Sequence, residues 1–171
     1  MRKIVAGFAM SLDGYIEGAN GEYDWIIMDK QFDIAAHMKR FDTFFFGRIS
    51  YDKLRQTGNV SFPGIKNYVF SNTLDTADKD FTLLKGDILQ SVTEIKNQNG
   101  RDIAVYGGAK LFTALLDLNL IDELQMSIIP IILGQGKPIV NILEQRVHLT
   151  LLDTRKFSTG TVQLLYRVNK Q

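Results

Sequence analysis

Short apolar runs along the chain alternate with stretches in which apolar residues recur every three or four positions. Residues 3–10 form a first apolar run and predict a buried strand, followed by a Gly-, Asp- and Asn-rich loop over residues 11–24. Phe32, Ile34, Ala35, Met38 and Phe41 recur at helical spacing, which predicts a helix over residues 29–40. Residues 43–46 are aromatic and strand-favouring, and they stop at Gly47-Arg48 before a short helix. Residues 67–70 and 81–84 read as strands. Ile88, Val92 and Ile95 mark a helix closed by Asn99-Gly100. Residues 123–132 are strand-like, with Pro130 predicting a sheet edge or a bulge. Residues 147–157 and 161–168 flank Ser158-Thr159-Gly160 as a terminal antiparallel hairpin. Strands alternate with helices first and follow one another last. That order fits a mixed sheet with helices on its faces.

One segment of this pattern suggests chemistry. In Ile103-Ala104-Val105-Tyr106-Gly107-Gly108-Ala109-Lys110-Leu111-Phe112 an apolar strand ends in two glycines, and Leu111, Leu115 and Leu118 then open a helix. Glycine lets a ligand approach the backbone, and a helix N-terminus offers free N–H groups to an anion. A dinucleotide pyrophosphate suits such a place, although many strand–helix turns use glycine for geometry alone.

Composition narrows the field. No repeat, low-complexity tract or Ser/Gly-rich linker divides the 171 residues, so residues 1–171 read as one domain. The net charge is +1 with Lys and Arg scattered, which gives no nucleic-acid footprint. The absence of cysteine excludes disulfides, thiolate metal sites and Cys nucleophiles, and it suits the cytoplasm. His37 and His148 are far apart, so no metal site is expected. The apolar run at residues 126–133 is too short to cross a membrane. It is apolar at nearly every position and must be covered on both faces, which predicts a homodimer.

Five motifs in order carry a family resemblance. They are Ala9-Met10-Ser11-Leu12-Asp13-Gly14, Asp42-Thr43-Phe44-Phe45-Phe46-Gly47-Arg48-Ile49-Ser50-Tyr51, Val69-Phe70-Ser71-Asn72, Tyr106-Gly107-Gly108-Ala109-Lys110-Leu111, and Ile121-Asp122-Glu123-Leu124 leading to Pro130-Ile131-Ile132-Leu133-Gly134-Gln135-Gly136-Lys137-Pro138. Together they resemble the dihydrofolate-reductase-like superfamily. The nearest branch is the reductase domain of the bacterial riboflavin-biosynthesis deaminase–reductase and its stand-alone relatives. The resemblance implies an α/β fold, a mainly parallel sheet flanked by helices and closed by a C-terminal antiparallel hairpin. It implies NADPH as cofactor. Gly47, Arg48 and Ser50 would meet phosphate, and Ser71, Asn72 and Thr73 the adenosine 2′-phosphate. Gly107, Gly108, Ala109, Lys110 and Leu111 would wrap the pyrophosphate, while Ala9 and Ile16 would line the nicotinamide pocket. Taken singly, Arg48 also fits a surface ion pair and Ser71 a turn cap.

The substrate half departs from the family. Tyr106 stands where the riboflavin reductase domain has a Glu that contacts substrate. Its Asp-Asp-Pro…Arg segment, which holds the ribose phosphate, is replaced by Lys53-Leu54-Arg55-Gln56-Thr57-Gly58. The acidic residue by which dihydrofolate reductases bind the pteridine has Asp33 and Asp29 as candidates here. Asp33 equally fits a solvated helix charge, and Asp29 a helix N-cap. Trp25 fits either a lid over the substrate or core packing. Residues 134–137 lack the spacing of a phosphate loop and read as a connection shaping the sheet edge. The expectation is an NADPH-dependent reductase of a small heterocyclic substrate, resembling 5-amino-6-(5-phosphoribosylamino)uracil reductase. Its rivals are a dihydrofolate reductase and a non-catalytic nucleotide-binding or dimerisation protein.

Overall fold

The computed structural model describes residues 2–58 and 62–170. The strands are β1 (Ile4–Ser11), β2 (Tyr15–Glu17), β3 (Phe41–Gly47), β4 (Lys66–Phe70), β5 (Phe81–Leu84), β6 (Asp102–Gly107), β7 (Glu123–Ile129), β8 (Lys137–Pro138), β9 (Leu149–Lys156) and β10 (Val162–Val168). The helices are α1 (Ile34–Met38), α2 (Arg48–Gln56), α3 (Ile88–Lys96) and α4 (Ala109–Asp117). Eight strands form one sheet in the order β5-β4-β3-β6-β1-β7-β10-β9, and β2 pairs with β8 in a small second sheet. The pairs from β5 through β7 are parallel. The β7–β10 and β10–β9 pairs are antiparallel, as the terminal hairpin requires.

The central strands are apolar on both faces because helices cover both. On β3, Phe45 packs with α3 and α4 through Val92, Ile95, Phe112 and Leu115. Phe44 and Phe46 point the other way, toward Tyr51 and Leu54 of α2. The strand beginnings carry ion pairs. Lys3 and Arg40 both bond Glu123, and Arg40 also bonds Asp102. Burial opposes ionisation of Glu123, but the hydrogen bonds from Lys3 and Arg40 outweigh it and lower its pKa. These pairs fix one pole of the sheet and leave the strand ends at the other pole free for a site.

Four expectations are corrected. The helix expected over residues 29–40 shrinks to α1, which buries none of its residues. Tertiary contacts divert its first half: Asp29 is drawn to the β9–β10 turn, and Phe32 packs against His37 and Phe157. The loop at residues 11–24 contains β2, which is held by pairing with β8. Residues 134–137 do not shape the sheet edge but lead into β8, beside β2. The strand expected to 132 ends at Ile129, and β7 lies between β1 and β10 rather than at an edge. Pro130 follows its last residue, where no ladder N–H is lost.

Candidate functional site

A cleft of about 460 Å³ opens at the C-terminal ends of the parallel strands, where open α/β sheets bind ligands. Gly47, Arg48, Ser71, Asn72, Thr73, Gly108, Ala109, Lys110 and Leu111 all line it. Two helices begin there, and neither has a side-chain cap. The N-cap of α2 is Gly47 and that of α4 is Gly108. Their first N–H groups therefore lack the carboxylate partner that Asp33 gives α1 and Asp87 gives α3. Two positive helix ends converging on one cleft form an anion cradle.

The glycines are there for space and for conformation. A Cβ on Gly47 would lie 3.3 Å from both the Gly108 nitrogen and Leu111 Cβ, so β3 and α4 meet closely. Gly107 has φ 134°, a region that L side chains rarely adopt. The Gly107–Gly108 peptide is cis. Ser50 Oγ lies 3.1 Å and 3.2 Å from the Cβ positions of Gly107 and Gly108, which puts its hydroxyl beside the pair although it is not part of the cleft lining. Lys137 Nζ lies 3.9 Å from the Gly108 Cβ position and 3.5 Å from Glu17 Oε1. Pairing of β2 with β8 brings this cation to the glycines.

The rest of the cleft is a polar rim. Arg48 Nε donates to Asp52 Oδ2 at 2.6 Å, a bond that uses neither of its two terminal nitrogens, and Arg48 lines the cleft. Ser71 Oγ accepts from the Leu74 nitrogen at 3.1 Å, the turn cap, and still lines the cleft. Asn72 Oδ1 accepts from the Gly86 nitrogen at 2.9 Å and joins the β4 and β5 exits. Lys85 and Asp87 also line the cleft.

A second, smaller cavity of about 60 Å³ lies on the α1 and α2 face of the sheet. Ala9, Ser127 and Gln163 form one row across its floor, since Ala9 is in register with Ser127 and Ser127 with Gln163. Its wall is the strap of residues 26–29 with Phe32. Asp29 ties this strap down. Its carboxylate accepts from the Gln31 nitrogen at 2.8 Å, Ser158 Oγ at 2.7 Å and the Thr159 nitrogen at 2.9 Å. These hydrogen bonds, that from Gln31 first, lower its pKa to about 2. Beside the cavity, Gly7 is exposed although β1 is a central strand. It follows Ala6, whose partner is Val105, so Tyr106 stands next to it on β6. Tyr106 is 47% exposed and packs against Phe44, Phe46 and Phe62.

Other expected residues lie elsewhere. Asp33 is exposed, accepts from the Ala36 nitrogen at 2.9 Å as the α1 N-cap, and lines neither cavity. The two acidic candidates thus exchange places, since Asp29 faces a cavity and Asp33 caps the helix. Ile16 on β2 and Trp25, whose Nε1 donates to the Glu22 carbonyl at 3.3 Å, also line neither cavity. Asp13 accepts from the Leu133 and Gly134 nitrogens, so it anchors a distant loop as well as its own turn. Lys85, Ser127 and Gln163 stand outside every sequence motif, and Lys137 lies in a connection expected at the sheet edge.

Among the described residues no cluster of metal-ligating side chains occurs, and no helix is long and apolar enough to cross a membrane. The model of the RibD C-terminal domain matches residues 2–163. The uncharacterised Bacillus subtilis protein YyaP is 38% identical, covering 98% of this chain and 96% of its own. A structure from Shewanella sp. PV-4, provisionally assigned to riboflavin biosynthesis, superposes with a TM-score of 0.87 at 24% identity, covering 98% of this chain and 99% of its own. Dihydrofolate reductase from Enterococcus faecalis, complexed with NADP(H), superposes with a TM-score of 0.68 at 15% identity, covering 98% and 97%. The strand order and glycine cradle thus sit in a chain that matches one family model almost from end to end: it belongs to the RibD C-terminal domain family, on a dihydrofolate-reductase-like fold.

Proposed function

We propose that this protein is an NADPH-dependent reductase of a small heterocyclic substrate. The observation that carries the reading is the convergence of two glycine-capped helix N-termini on one cleft, with Ser50 and Lys137 beside the glycine pair. The N-termini of α2 and α4 would hold the pyrophosphate. Arg48, Ser71, Asn72, Thr73 and Lys85 supply charge and hydrogen bonds for the adenosine 2′-phosphate. Gly7 and Ala9 leave the sheet surface low, so that two flat rings can stack near it. A nicotinamide held there would supply a hydride to a C=N or C=O carbon, with water supplying the proton to N or O, and the protein would contribute distance, orientation and charge. Asp29 has both carboxylate oxygens engaged by its own chain, which weighs against folate reduction.

Fluorescence-quenching titrations with NADPH and NADH test the reading. The expected result is saturable binding with preference for NADPH. Equal affinities, or none, would overturn it and favour a non-catalytic role.

A further inference from the structure

Lys137 differs from the other cations that line the cleft, Arg48, Lys85 and Lys110, in coming from the small sheet. Its cross-strand neighbour is Glu17, in register with it on β2. The two backbones are held close there. Gly136 has φ 156°, and a Cβ on it would overlap the Glu17 carbonyl oxygen, so β8 approaches β2 where a side chain has no room. What stays adjustable is the Lys137 side chain, 31% exposed. Its Nζ lies between Glu17 Oε1, at 3.5 Å, and the glycine pair, 3.9 Å from the Gly108 Cβ position.

Glu17 is held more firmly by a second cation. Its Oε1 is 3.0 Å from Lys53 Nζ on α2, well within hydrogen-bond reach, whereas 3.5 Å to Lys137 is at the limit. The loop after β2 closes over the Lys53 pair. The Gly21 Cβ position is 3.9 Å from both Glu17 Oε2 and Lys53 Nζ, and Lys53 Nζ is 5.9 Å from the centre of the Tyr23 ring. One carboxylate oxygen thus serves two ammonium groups, which repel one another and compete for it. Lys53 therefore loosens the hold of Glu17 on Lys137.

We propose that Glu17 is a positioning residue that sets cofactor affinity through Lys137. Lys137 divides between Glu17 and a pyrophosphate at the glycine pair, and Lys53 sets the division. This rests on the reductase reading, because it needs a dinucleotide at that pair. A partly exposed ion pair shifts an equilibrium by up to about fivefold. Such tuning is modest, and it suits a cofactor that must leave after each hydride transfer as readily as it binds.

The test titrates the full chain with NADPH and with NADH by calorimetry. Glu17→Gln is expected to tighten both nucleotides about threefold and Lys53→Met to weaken both about threefold. Lys137→Met is expected to weaken both about tenfold, and Lys137→Arg to stay within about threefold of wild type. In the Lys137→Met background, Glu17→Gln and Lys53→Met are expected to change nothing further. A gain in affinity cannot come from a misfolded variant, and equal effects on the two nucleotides separate the pyrophosphate from the 2′-phosphate. Unchanged or weaker binding by Glu17→Gln, wild-type affinity in Lys137→Met, or a Glu17→Gln effect that survives in the Lys137→Met background would overturn the proposal while leaving the reductase reading in place. Failure of NADPH to bind the wild type would overturn that reading, and this proposal with it.

Discussion

Gly108→Val is the sharpest perturbation of the cofactor cradle, because the structure separates its cost to the fold from its cost to binding. Gly108 has φ −100° and ψ −168°, extended backbone open to any residue. The nearest atoms to its Cβ position are Ser50 Oγ at 3.2 Å, the end of a short side chain that can rotate, and Lys137 Nζ at 3.9 Å. The fold therefore loses only the N-cap preference for glycine, about 1 kcal/mol, or roughly 2–4 °C in Tm for a domain of this size. Binding loses far more. Three added carbons stand in front of the first N–H groups of α4, where a pyrophosphate oxygen would be bound. Hydrogen bonds to charged groups are worth about 1.5–3 kcal/mol each, so losing two raises the NADPH Kd about 10²–10⁴-fold. Paired fluorescence titration and thermal melts measure both quantities on one sample. Gly107→Ala is the control. Its φ of 134° makes any side chain strained, so it is expected to lower Tm by more than Gly108→Val does. A Gly108→Val protein that binds NADPH within about threefold of wild type would refute the cradle.

Arg48→Ala is expected to weaken NADPH by about 1–3 kcal/mol and to leave NADH nearly unchanged; equal losses for both would remove Arg48 from the 2′-phosphate site. Asp29→Asn is expected to destabilise the protein in a pH-dependent way. The folded pKa of about 2 lies below the usual 3.8, so the wild-type advantage is full above about pH 5, shrinks as pH falls and is lost only below about pH 2. A wild-type-minus-variant stability difference that stayed flat from pH 7 to pH 2 in chemical denaturation would show that the carboxylate charge is irrelevant. The homodimer remains expected, but on a different surface. Edge strand β9 exposes Leu149, Leu151 and Leu152, so sedimentation should give twice 19.4 kDa for wild type and one chain for Leu151→Glu. A single-chain mass for the wild type at micromolar concentration would refute it.

What could be seen in the sequence was whatever is encoded locally. Gly47-Arg48 and Gly107-Gly108 each join a strand to a helix within a few residues, so spacing alone marked both turns. The β9–β10 hairpin announced itself through Ser158-Thr159-Gly160. What was hidden depends on pairing at a distance. Helical spacing around Phe32 was real, yet the Asp29 carboxylate is taken up by Ser158 and Thr159, 129 and 130 residues away, instead of capping a helix. Ser127 and Gln163 are unremarkable residues in sequence and become a pair only through the β7–β10 register. Lys137 reaches the glycines through a two-residue strand too short to leave a pattern.

This division follows the chemistry of the two halves. A pyrophosphate is recognised by main-chain N–H groups, so its site needs glycine and helix starts, which constrain sequence tightly over short spans. A small ring is recognised by side chains projecting from one sheet face, and any polar pair in register can serve. The glycine cradle is therefore built from backbone, while the floor of the smaller cavity at Ser127 and Gln163 is built from side chains far from the ion-paired pole of the sheet. Exchanging Gln163 should then redirect which ring binds while leaving NADPH affinity and Tm in place. Coupled loss of all three would show that the two halves do not separate in this way.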